Sequence, residues 1–338
     1  MKYITIKDVA KKLNLSTSSI SRAFNDKYDI KKETKELILK TAKEMGYFPN
    51  PIAQRLSQKK TFNIGIIVPE FINEHYAEIA LGIQEILMIS GYQVILMQSD
   101  ENSEVELKNV IMLTRNMVDG LIIAPTSSKG SNMDYYMKLI DNGYPIVFVS
   151  RAEKSLEASK VLFNNEKWSY FATEHLILQN YKKIYYICGP KGQEVSEDRI
   201  NGFKKAMSKY KFPKENYKIL EAGLMTNDGI EAAQDLIYNQ DIPDAIFCFN
   251  DRVAMGVIKA LQGNGYKIPE DIAIMSFTET RMAELVTPKL SSVKQPTSEM
   301  GRKAGELLLN LMSKESEEHQ TIIMNGDLNI RESSVAKP

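Results

Sequence analysis

Thr5-Ile6-Lys7-Asp8-Val9-Ala10, leading through Leu13-Asn14-Leu15 into Ser16-Thr17-Ser18-Ser19-Ile20-Ser21-Arg22, is the stretch on which the reading of this chain turns. Thr5 and Asp8 have the spacing of a capping box, and Ile6, Val9, Ala10 and Leu13 then share one helical face. Asn14 tolerates the left-handed backbone of a tight turn and so stops that helix. Ser16 is placed to cap a second helix with Ile20, Ala23 and Phe24 on its apolar side and Thr17, Ser18, Ser21 and Arg22 opposite. Two short helices around a three-residue turn make a helix-turn-helix, whose second helix can enter a DNA major groove. A third helix is predicted over residues 33–44, burying Leu37, Ile38, Ala42 and Met45 and ending at Gly46.

Charge supports this reading. Residues 1–60 hold 14 Lys+Arg and 6 Asp+Glu, while 61–338 hold 29 and 37, so a neutral chain conceals a basic end and an acidic remainder. A basic module suits a polyanion, and the remainder would be repelled by one. After that module comes Pro49-Asn50-Pro51-Ile52-Ala53-Gln54-Arg55-Leu56. Asn50 can cap and Pro51 fits the first helical position, so residues 50–58 are expected to form a short helix with Ile52, Ala53 and Leu56 on one face. Nine residues are marginal alone, because nucleation costs more than so few hydrogen bonds return.

These blocks resemble the amino terminus of the LacI/GalR family of bacterial transcriptional regulators. The matching pattern is Thr-Ile-x-Asp-Val-Ala from Thr5, Ser-x-x-x-Ile-Ser-Arg-x-x-Asn from Ser16 to Asn25, and Gly-Tyr-x-Pro-Asn-x-x-Ala-x-x-Leu from Gly46 to Leu56. The resemblance implies that Thr17, Ser18 and Arg22 face base edges, while Ser16, Ser19, Ser21 and Asn25 contact phosphates; Thr5 and Asn50 join the DNA-binding set. It implies further that two hinge helices enter the minor groove, with Leu56 levering a base step apart, Ala53 allowing close approach and Arg55 neutralising phosphate. Lys31 stands where the family often has a capping Ser.

From Asn63 the chain alternates short apolar runs (64–68, 94–97, 121–124, 146–149, 184–187, 246–249, 272–275) with helix-length segments, the pattern of doubly wound parallel sheets. Val118-Asp119-Gly120-Leu121-Ile122, Asn250-Asp251-x-x-Ala254-Met255-Gly256 and Pro288-x-Leu290-x-Ser292-Val293-x-Gln295-Pro296 extend the resemblance to the type I periplasmic-binding-protein fold. The expected fold is therefore an all-α helix-turn-helix domain (1–48), a hinge helix (49–60) and a two-lobed α/β effector-binding domain (61–338). Lobe one is expected over 62–162 and 296–322, lobe two over 163–295 and 323–338.

Ligands of such sheets bind beyond the carboxyl ends of the strands. The resemblance places Phe71, His75, Tyr76, Asp100, Ser150 and Arg151 there from one lobe, and Arg199, Leu224, Asn250, Thr278 and Gln295 from the other. Arg199 is the family's donor to ligand oxygens. Asn250 and Asp251 open a helix, so capping competes with ligand binding, and is favoured for Asp251. Tyr76 either stacks on a sugar ring or fills core. Thr278 and Ser150 stand where relatives often carry Asp, and Leu224 where some place an aromatic. The expected effector is a sugar or sugar derivative, and the missing carboxylates favour an acidic, phosphorylated or less hydroxyl-rich one.

Other functions fit less well. There are three His and no Gly-x-Ser-x-Gly or Gly-Lys-Ser phosphate loop, which argues against an enzyme. A secreted solute receptor would carry an apolar leader where residues 1–20 mix charges. Cys188 and Cys248 sit in apolar runs and read as buried thiols of a cytoplasmic protein. The expectation is a dimeric regulator with double-stranded DNA and a small molecule as partners, no membrane contact, no cofactor and no metal. The end, Ile330-Arg331-Glu332-Ser333-Ser334, adds no leucine heptads, which favours a dimer over a tetramer.

Overall fold

A computed structural model describes residues 4–24, 30–47, 60–115, 118–126, 132–153, 155–313 and 318–335. The backbone divides into two units, 1–62 and 63–338.

The first unit packs α1 (Ile6–Leu13), α2 (Thr17–Phe24) and α3 (Lys32–Met45) around Val9, Ala10, Ile20, Ala23, Ile38 and Ala42. Asp8 accepts from both the N–H and the hydroxyl of Thr5 (2.8 and 2.7 Å), tying down the start of α1. Asn14 ends α1 in the left-handed region (φ 52°), and Gly46 does the same for α3 (φ 71°). Ser16 Oγ accepts from Ser19 N at 3.1 Å, capping α2. Lys31 gives α3 no side-chain cap. One core expectation is corrected: Leu37 is 52% exposed, because Ile38, one residue on, takes the inward position.

In the second unit, lobe one opens with β1 (Asn63–Val68), α4 (Glu74–Ile89), β2 (Gln93–Gln98), α5 (Ser103–Arg115), β3 (Gly120–Ile123), α6 (Met133–Asp141), β4 (Ile146–Ser150) and β5 (Ser159–Phe163). The chain then crosses into lobe two as α7 (Asn165–Leu178), β6 (Ile184–Cys188), α8 (Glu194–Lys209), β7 (Tyr217–Glu221), α9 (Thr226–Tyr238), β8 (Ala245–Cys248), α10 (Asp251–Gly263), β9 (Ala273–Ser276), the short α11 (Met282–Leu285) and β10 (Ser291–Lys294). It returns to lobe one with α12 (Thr297–Ser313) and β11 (Thr321–Met324), and ends in lobe two with β12 (Asp327–Asn329). The sheets read β11-β5-β4-β3-β1-β2 and β12-β10-β9-β8-β6-β7. All pairings are parallel except that of β12 with β10. The crossings fall slightly later than the sequence suggested, since β5 runs to Phe163 and β11 to Met324.

Each strand read from an apolar run is present. β5 is harder to see, because Ser159-Lys160 interrupts it. Lys160 is nonetheless 4% exposed, its ammonium donating to the carbonyls of Leu156 (2.7 Å) and Glu153 (3.1 Å). Cys188 and Cys248 are buried, unpaired thiols on the neighbouring strands β6 and β8.

Candidate functional site

Thr17, Ser18 and Arg22 are exposed on α2, as are Ser16 and Thr5 at the helix starts, whereas Ser19 and Ser21 are half-buried. The Ser16 hydroxyl also lies within hydrogen-bond distance of Ser18 Oγ (2.7 Å) and Ser19 Oγ (2.9 Å). Ser16 thus organises the first turn of α2 while remaining at the surface. Asn25, Asn50, Ala53, Arg55 and Leu56 lie outside the described residues.

The second unit holds a cleft of about 60 Å³ between its lobes. The carboxyl ends of β1 and β4 bring His75, Tyr76, Ser150 and Arg151 to it from lobe one. Lobe two contributes Arg199 from α8, Asn250 beyond β8 and Thr278 beyond β9, with Gln295 at the return crossing. Phe71, Asp100 and Leu224 do not line it. Phe71 is 41% exposed, its N–H donating to Gln98 Oε1 (2.8 Å). The chain turns in between, so that the first turn of α4, not the preceding loop, faces the cleft. Asp100 is exposed and hydrogen-bonded to the Gln98 amide. Leu224 offers its carbonyl to Asn250 Nδ2 (3.0 Å).

Sequence reasoning missed Asn73, Phe163, Asn165, Val195, Phe249 and Arg252, all of which line the cleft. It also missed Glu101, next to Asp100, which pairs with Arg151 at 2.8 Å. Asn165 is the most informative of these. Its Oδ1 accepts from Arg199 Nε at 3.0 Å and its amide donates to Phe163 O at 3.2 Å, so the lobe crossing itself aims the guanidinium. The only signal for it was position, directly after a strand end.

Arg199 is 6% exposed. Nη1 donates to Phe249 O at 2.6 Å, and the guanidinium carbon stands 3.7 Å from the Phe277 ring centroid and 4.4 Å from that of Phe249. These contacts fix its direction without neutralising its charge. Burial chiefly, with the Arg151 charge adding, brings its pKa down to about 9, which leaves it protonated at neutral pH. Burial also pushes His75 down to about 3, helped by Arg151 and Arg199. His75 is therefore neutral, with Nε2 2.9 Å from Ser150 Oγ and Nδ1 buried without a partner among the described residues. Tyr76 is 3% exposed, packed edge-on to His75 with Arg151 5.6 Å from its centroid; burial raises it to about 12. It lines the cleft while being buried with the core.

Asn250 Oδ1 caps α10 through Val253 N (2.8 Å). Asp251 accepts from the Thr280 hydroxyl and from Arg252 N (2.9 Å), and burial raises its pKa. Two ion pairs span the cleft rim, Arg252 to Glu70 at 2.7 Å and Arg281 to Glu74.

A helix-turn-helix unit on the same chain as a two-lobed α/β unit with a polar interlobe cleft defines a class: ligand-responsive, sequence-specific DNA-binding transcriptional regulators. Residues 5–50 match the model for bacterial regulatory proteins of the lacI family, and 173–334 that for periplasmic binding protein-like domains. The chain is 31% identical to catabolite control protein A of Priestia megaterium over 98% of this chain and 99% of that one. It is 30% identical to the repressor PurR of Vibrio vulnificus, over 97% and 98%. The chain belongs to the lacI family. Among solved structures, the lac repressor dimer bound to operator and an anti-inducer shares the fold with a TM-score of 0.87 at 21% identity, covering 99% of this chain and 100% of that one. A complex of the regulator CelR with cellobiose scores 0.73 at 24% identity, over 98% and 99%.

Proposed function

We propose that the protein is a cytoplasmic homodimeric repressor that reads a near-palindromic operator and releases or grips it according to a small molecule bound between the lobes. The observation that carries this is the cleft. It gathers donors and acceptors from the carboxyl ends of strands in both lobes, in a chain that aligns along nearly its whole length with repressors. The ribose operon repressor of Haemophilus influenzae is among those relatives, at 28% identity. With cellobiose held in the CelR complex, a sugar or sugar derivative is the effector class that follows. Two-fold symmetry of the protein demands two half-sites in the DNA.

Thr5, Ser16, Thr17, Ser18, Ser19, Ser21, Arg22 and Asn25 are assigned to DNA, as are Asn50, Ala53, Arg55 and Leu56 of the hinge. The effector is assigned to His75, Tyr76, Ser150, Arg151, Arg199, Asn250, Thr278 and Gln295. Effector binding draws the lobes together, and the movement alters whether two hinge segments pair in the minor groove. Because hinge folding and DNA binding are coupled, a small separation costs the complex several kcal/mol, on the order of a hundredfold or more in affinity. The protein is a regulator and not an enzyme in this reading, and needs no cofactor.

Selection of bound genomic fragments, followed by gel shift, tests it. Saturable, sequence-selective binding that weakens steeply with salt is expected. Failure to select any fragment, with or without candidate sugars, defeats the proposal. Leu56→Ala is expected to weaken operator binding and DNA bending while sparing effector affinity. Equal bending by variant and parent removes the lever role.

A further inference from the structure

The cleft has two features that a neutral sugar leaves unused. The first is charge. Arg151 and Arg199 reach it from opposite lobes. Arg151 has Glu101 as its carboxylate at 2.8 Å. Arg199 has amide, carbonyl and aromatic neighbours, and among the described residues no carboxylate stands within ion-pair distance of it. A buried cation without a counter-charge is costly, and here it also opposes a second cation across the gap that must close. Burial chiefly, with the arginine charges adding, lowers the pKa of both His75 and Arg199.

The second feature is space. At about 60 Å³ the cleft is too small for a ligand of ordinary size, but it adjoins a cavity of about 280 Å³ that shares Arg151 and Val195 with it. Only with that cavity does the site approach the roughly 300 Å³ at which small-molecule pockets begin. Pro125, Met133, Phe148, Leu156 and Val195 give the side cavity an apolar wall. Its floor carries Glu106, whose carboxylate is already engaged: it accepts from Thr126 N (2.5 Å), Asn132 Nδ2 (2.8 Å) and the Tyr136 hydroxyl (2.5 Å). Glu153 and Glu194 also line it and oppose a second anionic group there.

We infer that the effector is an organic anion charged at one end, a carboxylate or phosphate ester held between Arg151 and Arg199, with a neutral, partly apolar body in the side cavity. This rests on the reading of the cleft as the effector site. The anion converts the repulsion between the two guanidinium groups into two attractions and so draws the lobes together. Ser150 and Thr278, in place of carboxylates, add no negative charge beside that anion, and Asp251, the carboxylate that lines the cleft, accepts from the Thr280 hydroxyl and from Arg252 N.

Matched ligand pairs test this on the unaltered full-length protein by calorimetry: glucose against glucose 6-phosphate, and benzyl alcohol against benzoate and phenyl phosphate. The charged member of at least one pair is expected to bind roughly tenfold or more tightly than its neutral partner, the worth of one charge-assisted hydrogen bond. Arg199→Gln should erase that preference, and Arg199→Lys should retain part of it. Which anion binds decides between carboxylate and phosphate. Neutral members binding as well as the charged ones, or no anion binding at millimolar concentration, overturns the inference. Gel shift with a selected fragment separates this from the wider reading. A neutral sugar that binds and shifts operator affinity leaves the regulator standing and removes the anion. An anion that binds without changing operator affinity confirms the charge assignment and removes the effector role.

Discussion

Lobe one and lobe two share a strand order, β5-β4-β3-β1-β2 against β10-β9-β8-β6-β7, and they share a device for packing helices. In lobe one α4 and α12 cross at reciprocal glycines. A Cβ at Gly82 would stand 2.1 Å from the Ser298 carbonyl oxygen, and one at Gly301 would stand 2.1 Å from that of Ile79. In lobe two α9 and α10 do the same, with Gly229 against Val253 O (2.1 Å) and Gly256 against Thr226 O (2.0 Å). What differs is the polar chemistry. Lobe one buries a carboxylate, Glu106, under three donors and gives its cleft arginine a partner in Glu101. Lobe two places Asp241 under three donors near the start of β6 and β7, and among the described residues gives Arg199 no carboxylate within ion-pair distance. The same kind of glycine crossing serves both halves, whereas their charges are arranged differently: one cleft arginine has a carboxylate, and the other has amide, carbonyl and aromatic neighbours.

The largest effect is expected from removing the buried carboxylate. Glu106→Ala removes the carboxylate that accepts from Thr126 N, Asn132 Nδ2 and the Tyr136 hydroxyl, leaving Asn132 only Ser103 O (2.9 Å), at about 1–3 kcal/mol for each buried donor left unsatisfied. Urea unfolding should show a loss on the order of 3–5 kcal/mol with the slope unchanged. A loss under about 1 kcal/mol means water replaces the carboxylate readily and the cluster does not organise lobe one. The glycine crossings come next. Gly301→Ala and Gly256→Ala should each cost about 1–3 kcal/mol, although Ala is the better helix former, because the obstructing atom is backbone and cannot rotate away. The double variant should show the sum, since the sites belong to different lobes. A strongly unequal pair would break the equivalence of the lobes.

Much of this architecture was readable in the chain. The apolar runs marked β1, β3, β4, β6, β8 and β9 because strands buried on both faces carry little else, and they marked β2 as well although it is an exposed edge strand. β5 mixes Ser and Lys, and β7 Lys and Glu, among their apolar residues. In β5 the lysine is accommodated by loop carbonyls that no local pattern announces. In the helix-turn-helix, Asn14 and Gly46 ended their helices as expected, since the left-handed turn is a local demand. Leu37 and Ile38 are adjacent and equally apolar, and only the packing of α3 decides which faces inward. The cleft was legible where a residue follows a strand directly, as at Ser150, Arg151, Asn250 and Thr278. Phe71 and Asp100 do not line the cleft, and their placement depends on contacts such as Phe71 N to Gln98 Oε1 and the Gln98 amide to Asp100. Asn165 follows its strand as closely as those residues do, and was invisible for another reason: its importance lies in touching Arg199, 34 residues away.

Asp241 should give a smaller, pH-dependent effect confined to lobe two. Hydrogen bonds from Lys183 (2.7 Å), Lys218 (2.5 Å) and the Tyr185 hydroxyl (2.7 Å) hold its carboxyl well below the usual carboxylate range. A pKa lowered on folding contributes stability that is complete at neutral pH and is lost as the pH falls through the carboxylate range. Asp241→Asn should therefore cost about 1 kcal/mol at pH 7, discounted for its partial exposure. The gap between variant and parent should close on acidification. A gap that widens in acid reverses the sign of the assignment.

The smallest effects are expected at the two ion pairs across the cleft rim, where exposure separates otherwise similar contacts. Arg252 and Glu70 have side chains 25% and 20% exposed, while Arg281, opposite Glu74, is 88% exposed. An exposed pair gains little Coulomb energy and loses side-chain freedom, so Arg281→Ala should change stability and ligand affinity by less than about 0.5 kcal/mol. Arg252→Ala removes a better-shielded contact that exists only while the lobes are together, and should weaken ligand binding by up to about 1 kcal/mol, or a few-fold. Its loss should depend on salt less than that of a surface pair, because partial burial limits screening. Calorimetry at two ionic strengths with any ligand found to bind decides the matter. If Arg281→Ala outweighs Arg252→Ala, the lobes meet differently when the ligand is bound, and the rim pairs do not measure closure.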